Sequence, residues 1–525
     1  LARWSHPSRL LALAALAALA ACGDSPTSPT GSTGGTGGTG GTGGTGGTGG
    51  TGGSGTLTVP PINREFRGMW IATVANIDWP SRNTLTVAQQ QAELNTLLDA
   101  AVATGLNAVV LQVRAAGDLL YPSNLEPWSR SFTGTQGVDP GYDPLAFAVQ
   151  AAKLRGLELH AWFNPFRAGN LSDTARLATT HFGRKRPDLL RRTCQQLWFD
   201  PGEDAVHDQA IAVVTEVLRR YDVDAVHLDD FFYPYPETGC TLEFPDTAAF
   251  GRYQRGGGAL ARADWRRDNV NRFVRRLYQE VRAVSTSARV GISPFGIWRP
   301  GNPAGITGLD AYTAIYADSR LWLQAGWVDY LAPQLYWATT STGQNYNNLI
   351  TWWGQQNTMR RHLWPGLASY RINDGSSSPF PANEIATQIG IARQQANSAG
   401  GATGTILYNG SSVRDNRGGF AASLGAGLFA EGALAPATTW LDATPPADPT
   451  VAVSTSGDQL SVTISGDATD VRWWFVRWRS NGTWRSKTLP SANRATTVPG
   501  TGTDAVVVNA VDAVSNASGN AVWRR

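Results

Sequence analysis

Lysine is nearly absent: the 525 residues carry it only at Lys153, Lys185 and Lys487, so the basic side of the composition is almost all arginine. With a formal charge of only +3 and no basic run, the chain shows no electrostatic footprint for nucleic acid. Histidine is scarce too, at 6 residues, and the first candidate strand, Gly68–Thr73, lacks the His-x-His pair usual in metal-dependent barrel hydrolases. No Gly-rich phosphate loop follows that strand, which argues against a doubly wound nucleotide-binding sheet. No metal or other cofactor is therefore expected. Tryptophan is abundant, at 20 residues, and 42% of the chain is hydrophobic, the composition of a folded protein. At this length two or three domains are expected.

The N-terminus indicates a compartment. Arg3, His6 and Arg9 precede an apolar run, Leu10–Ala21, that is too short to span a bilayer as a mature helix. It ends in Leu19-Ala20-Ala21-Cys22, which resembles the lipobox of bacterial lipoproteins, with Cys22 as the lipidated residue. Gly23 rather than Asp follows, favouring an outer-membrane anchor facing the periplasm if the host is diderm. An ordinary signal peptide with a chance cysteine is the alternative. The other cysteines, Cys194 and Cys240, are either free thiols or a disulfide, worth ~3–4 kcal/mol in the chain-entropy account.

Four regions are expected. Residues 1–22 read as a lipoprotein signal peptide, and 23–60 as a Thr/Gly-rich, disordered tether with an end-to-end distance of roughly 30 Å. Within 61–442, eight β-rich runs alternate with helical patterns: Gly68–Thr73, Ala108–Val113, Glu158–Phe163, Ala225–Asp230, Arg289–Pro294, Tyr330–Trp337, Leu363–Ser369 and Gly404–Asn409. That pattern predicts an α/β fold, a (β/α)8 TIM barrel, with strands buried on both faces. Residues 443–525 give short alternating segments without a helix: Val451–Ser454, Gln459–Ile464, Val471–Arg479, Ala505–Ala510 and Ala521–Trp523. They predict a small all-β sandwich resembling a fibronectin type III module. Its Trp473, Trp474, Trp478 and Trp484 are read as core or docking residues, with glycan binding as the rival.

Polar residues collect where the barrel strands end, the face that carries active sites in this fold. Residues 225–236 run from a buried strand into Asp229-Asp230, then at once into aromatics and prolines. Adjacent carboxylates repel, a cost that is useful where one must be charged and one protonated. Flat rings beside them suit a sugar, which offers an apolar face for stacking. Alternation along the strand sends His227 and Asp229 into the mouth and leaves Asp230 at the rim. Around them, Arg114, His160, Asn164, Arg167, His227, Arg299 and Gln334 are candidate binders of hydroxyl, acetamide or carboxylate groups, because amides and planar guanidinium forks match those oxygens. Trp162, Tyr233, Trp298, Tyr336 and Trp337 are candidate stacking surfaces.

Phe66-Arg67-Gly68-Met69-Trp70, Glu126-Pro127-Trp128, Asp139–Pro144, His160–Arg167, Asp200-Pro201-Gly202, His227–Pro234, Ser293–Arg299 and Ala332–Trp337 together resemble the bacterial glycosyl-hydrolase-like family 10. The resemblance covers roughly residues 62–375. It implies a barrel glycoside hydrolase, often a lipoprotein, acting on peptidoglycan glycan strands stripped of their stem peptides. The implied partners are that polysaccharide, the membrane through a lipid anchor, and cell-division or envelope proteins. Two mechanisms stay open. In one, the 2-acetamido oxygen of an amino sugar attacks its own anomeric carbon while Asp229 and Asp230 orient and protonate. In the other, one of these aspartates works with a distant acid, Glu126 or Asp118. A metal site at His160, His227 and Asp229, and a non-catalytic glycan-binding lipoprotein, are the rival classes.

Overall fold

Near-continuous apolar runs such as Ala108–Val113 fold as strands buried on both faces, and the β/α alternation wraps them into a ring. A computed structural model describes residues 57–525; the expected signal peptide, Cys22 and nearly all of the tether lie outside the described residues. The barrel strands are Phe66–Ile71, Ala108–Arg114, Glu158–Phe163, Ala225–Leu228, Arg289–Ile292, Tyr330–Leu331, a seventh in two pieces (His362–Leu363 and Gly366–Leu367), and Gly404–Leu407. All pairings are parallel, and the eighth strand pairs with the first. Pro365 lacks an N–H and interrupts the seventh strand's ladder. The ring still closes through it: His362–Leu363 pairs with the sixth strand and Gly366–Leu367 with the eighth. The sixth strand stops well short of the expected Trp337, for Pro333 again removes a donor. Beyond it Gln334 makes single bridges to Phe295 and Gly366.

Side-chain alternation sorts the core into two shells. Met69, Ile71, Val109, Leu111, Leu159, Val226, Leu228, Val290 and Ile292 face outward into a cluster with the surrounding helices. Phe66, Trp70, Val110, Trp162, Tyr330, Trp364 and Ile406 fill the interior. The helix Val87–Thr104 opens on a Thr86/Gln89 capping box and closes on Gly105 in a left-handed conformation.

A polar column runs through this interior. The Trp70 indole can only donate, and its Nε1 reaches His227 Nε2 at 3.1 Å. A neutral His227 therefore carries its proton on Nδ1 and donates to the Tyr330 hydroxyl at 2.9 Å. That hydroxyl then donates to His160 Nδ1 at 2.9 Å, and His160 Nε2 donates to Glu158 at 3.1 Å. Burial lowers both imidazole pKa values, in keeping with neutral rings. Burial alone would raise Glu158, but Arg289 and the His160 hydrogen bond overcome it and hold Glu158 at about 2. Both histidines lie wholly inside the barrel with their ring nitrogens occupied by these partners.

Three antiparallel strands, Thr450–Ser456, Gln459–Ser465 and Ala495–Pro499, face a four-stranded sheet of Trp473–Ser480, Thr483–Pro490, Thr503–Val511 and Ala521–Arg524. Thr483–Pro490 and Ala495–Pro499 were not among the expected strands: their charged and Thr/Ser-rich sequences hide a weak alternation that pairing with neighbours stabilises. Trp474 is core, Trp478 packs against that core, and Trp473 is buried on the other face. The sandwich sits against the N-terminal ends of the barrel strands, away from the mouth. Arg472 pairs with Asp222 and, at 2.9 Å, with Asp224 just before the fourth strand. Arg289 donates to the Ala513 carbonyl at 3.2 Å, and the Ser515 hydroxyl reaches Glu158 at 3.4 Å.

The column depends on one missing side chain. A Cβ on Gly291 would fall 1.9 Å from the Tyr330 ring, which both histidines hold in place. Gly291→Ala should therefore destabilise the protein by ~2–3 kcal/mol, read as a lower urea midpoint. An unchanged midpoint would mean that the ring is free to move aside.

Candidate active site

Each side chain at the mouth is placed by the strand beneath it. Gln112, at the end of the second strand, accepts the Thr73 and Val74 amide protons at 3.0 and 2.9 Å through Oε1. Its Nε2 must then face Asn164, and donates to Asn164 Oδ1 at 2.7 Å. This orients the Asn164 amide so that its Nδ2 donates to Asp229 Oδ2. Trp162 Nε1 donates to the same oxygen at 3.1 Å, and the Phe231 amide donates to Oδ1 at 3.1 Å. Asp230 accepts from the Tyr235 hydroxyl. Both acids are nearly buried, at 5% and 6% exposure, at the floor of the mouth.

Burial, then the neighbouring Asp230 charge, push Asp229 up to about 8. Burial raises Asp230 as well, with the Tyr235 and Gln334 hydrogen bonds opposing. Adjacent carboxyls of this kind titrate as a unit and keep one proton between them through neutral pH. Three donors aim at Asp229 and can hold it as an anion whenever Asp230 takes the shared proton.

Half-buried rings flank the doublet on two sides. One row runs Phe231, Tyr235, Phe295, Trp337, with successive centroids 5.6, 6.3 and 5.6 Å apart and edges turned to faces. Opposite, Tyr336 stacks on Tyr408 at 5.8 Å, with Tyr370 edge-on at 5.7 Å. The wall carrying Phe231 and Tyr235 is fastened by a disulfide between Cys194 and Cys240. It joins the fourth-strand loop to the end of a small antiparallel sheet of Arg167–Asn170, Leu190–Arg192 and Gln196–Phe199.

Other candidates lie elsewhere. Tyr233 is 1% exposed and packs edge-on to Phe244 and Tyr316, so the fourth loop presents Tyr235 instead. Pro234 between them spoils a simple alternation. His160 and His227 belong to the axial column. Arg114 and Glu126 hold each other bidentately at 2.7 and 2.5 Å, and Arg114 also donates to the Asn164 and Pro165 carbonyls. Arg114 thus clamps the loop that aims Asn164. Trp298 donates to Asp318 and stacks on Trp352, while Arg299 leans on Tyr312 and Asp310; these contacts turn both outward. Gln334 donates to Ser293, which holds it beside Asp230. Asp118 accepts from Gln136 at 3.0 Å through one oxygen, while the other is buried without a partner. Tyr235, Tyr370, Tyr408 and Asn409 are the mouth residues that motif reading missed. Strand-end position alone points to Tyr408 and Asn409, and nothing in the sequence singles out Tyr370. A cavity of about 850 Å³ lies at the opposite end of the first strand, lined by Arg64, Glu65, Arg393 and Glu431. Its Glu65 is already neutralised by Arg67 and Arg393, and it holds no reactive group.

Among the described residues, the acid and thiol groups close enough to share an ion are Cys194/Glu237/Cys240, where the sulfurs are bonded to each other, and Asp442/Asp470/Asp512. Neither lies at the doublet. No helix of the described residues is long and apolar enough to cross a membrane.

A barrel mouth with paired, proton-sharing carboxyls between aromatic walls has the makings of a glycosidase site. Residues 65–380 match the family model described as Glycosyl hydrolase-like 10, and the chain belongs to that family. It is 38% identical over 448 residues to the glycosyl hydrolase YngK of Bacillus subtilis, covering 83% of this chain and 86% of that protein. It is 34% identical over 342 residues to the glycosyl hydrolase DigH of Escherichia coli, covering 61% and 76% of the two chains. The glycoside hydrolase domain of PgaB from Bordetella bronchiseptica superposes with a TM-score of 0.47 at 14% identity, over 69% of this chain and 98% of that one.

The shared proton has a sign that can be measured. The folded Asp229-Asp230 pair binds its shared proton, which leaves at about 8, more tightly than the same carboxyls do in the unfolded chain. Its stabilising effect is therefore complete below the ordinary carboxylate range and is lost as pH rises from about 4 to about 8. Asp229→Asn does not titrate, so whatever its fixed cost, its stability relative to wild type should improve steadily between pH 5 and pH 8 in urea melts. A gap independent of pH would show that Asp229 is an ordinary acid.

Proposed function

We propose that the protein hydrolyses peptide-free glycan strands of peptidoglycan at the cell envelope, using the acetamido group of an N-acetylated amino sugar as internal nucleophile. The observation that carries this reading is the adjacency of two acids in unequal surroundings. Asp229, held by Trp162, Asn164 and the Phe231 amide, orients the acetamide and balances the charge that develops on it. Asp230 protonates the leaving glycosidic oxygen. The acetamido oxygen closes on the anomeric carbon as that bond breaks, and water then opens the cyclic intermediate. The axial column holds the floor rigid. The two rows of rings stack against the apolar faces of the sugars. Arg114 acts through Asn164 and Glu126 acts through Arg114, so both position the acid rather than react.

Lipidation at Cys22 tethers the barrel to the envelope, and the Thr/Gly-rich segment lets it reach glycan beyond the membrane surface. A Cys22→Ala chain should appear in the soluble fraction.

Purified protein should release oligosaccharides with new reducing ends from peptide-free glycan, identified by mass spectrometry. Asp230→Asn should reduce that release ~10²–10⁴-fold while thermal unfolding stays cooperative. The wild-type rate should fall above about pH 8 as the pair loses its shared proton. Tight binding to glycan without new reducing ends, or wild-type rates in Asp230→Asn, would overturn the assignment.

A further inference from the structure

Charged groups around the mouth are almost all paired. Arg114 is bound by Glu126, Arg130 by Asp173 and Arg191 by Asp200. Arg167 differs. Its side chain makes no hydrogen bond or ion pair with any described residue, and its Nε is sealed from solvent without an acceptor. It is half-buried at the start of the small sheet, opposite Trp198, with its guanidinium 5.9 Å from the centre of the Phe231 ring. The charges that act on it most strongly are Asp229, then Asp118 and Asp173. The disulfide between Cys194 and Cys240 fastens this wall to the loop carrying Phe231 and Tyr235. A half-buried cation whose Nε is sealed without a partner is unfavourable unless an anion arrives to complete it.

We propose that Arg167 receives a carboxylate on the substrate, the free lactyl carboxylate of an N-acetylmuramoyl unit lying next to the reacting sugar. This rests on the reading of the substrate given above and adds to it the group that the site selects. A guanidinium fork binds both oxygens of a carboxylate at once with full charge complementarity. An amide at the same carbon, as when a stem peptide is attached, offers one acceptor, no charge, and bulk directed at the Phe231 wall. Selection against peptide-bearing strands then arises at one side chain other than the two acids.

The test uses the full chain and two glycan oligosaccharides of equal length, one with free lactyl carboxylates and one with these converted to methylamides. Wild type should favour the acid roughly 10- to 100-fold in kcat/KM. In Arg167→Gln that ratio should fall towards one, and in Arg167→Lys, which keeps the charge but not the fork, it should lie between. Thermal unfolding of both variants reports whether the fold is intact, and Arg167→Lys carries the test if Arg167→Gln is misfolded. A ratio near one in wild type overturns the role of Arg167 while leaving the hydrolase reading standing. Equal losses on both substrates, with a displaced pH profile, would also overturn it, making Arg167 a counter-charge for Asp229 and Asp118. Wild type that cleaves neither oligosaccharide overturns the substrate reading and this proposal with it.

Discussion

The one-way column of hydrogen bonds from Trp70 through His227, Tyr330 and His160 to Glu158 is the constraint on which the rest of the structure depends. An indole that can only donate sets the first tautomer, and each later proton follows from the one before it. Such a chain has a single low-energy arrangement, because a reversed link leaves either a donor facing the Trp70 donor or a bare nitrogen facing the Glu158 carboxylate. It fills the barrel interior with groups that specify orientation, where purely apolar packing would admit alternatives. Two residues beyond His227 on the same inward face stands Asp229. The floor of the mouth is thus carried by the same strand that the column locks.

The lower end of the column accounts for the placement of the sandwich. Glu158, Arg289 and Asp224 sit at strand starts, where charge would otherwise lie half in water at the open end of the barrel. Arg472, Ala513 and Ser515 cover them. Arg472 in turn is held strongly protonated: burial opposes its charge, but Asp224 and Asp222 more than compensate. The sandwich therefore acts on the barrel as a base plate. Trp473, Trp474 and Trp478 are accounted for by its own core and by burial on its other face, at the end of the barrel away from the mouth.

Much of this was legible in the residues. Continuous apolar runs located the eight strands, because a strand buried on both faces leaves few other readings. The Asp229-Asp230 pair declared itself by its own electrostatic cost. Other features needed three-dimensional pairing. Tyr233 and Tyr235 look equivalent in sequence, but Pro234 turns the chain between them and sends one ring to the core and the other to the acids. Arg114 and Glu126, 12 residues apart, read as two site residues, yet their fork-to-fork geometry makes them one brace. The strands Thr483–Pro490 and Ala495–Pro499 carry too much polarity for their alternation to show, and they are stabilised by cross-strand partners that no local window contains.

A site of this kind requires that unfavourable groups be held where relaxation is blocked. Asp229 and Asp230 are buried side by side, Asp118 keeps a buried oxygen without a partner, and Arg167 faces all this charge without a bond of its own. In a flexible loop these groups would drift together, Arg167 pairing with an aspartate and neutralising the chemistry. They are kept apart because each is fixed by a different element. Asp229 is held by donors from the third strand, Asp230 by Tyr235 in the fourth loop, Asp118 by Gln136, and Arg167 by its pairing to Trp198 in a sheet fastened by the disulfide. Separation of charge enforced by rigid surroundings leaves both a proton donor and a cation available to a ligand, which is the arrangement expected where catalysis relies on preorganised electrostatics.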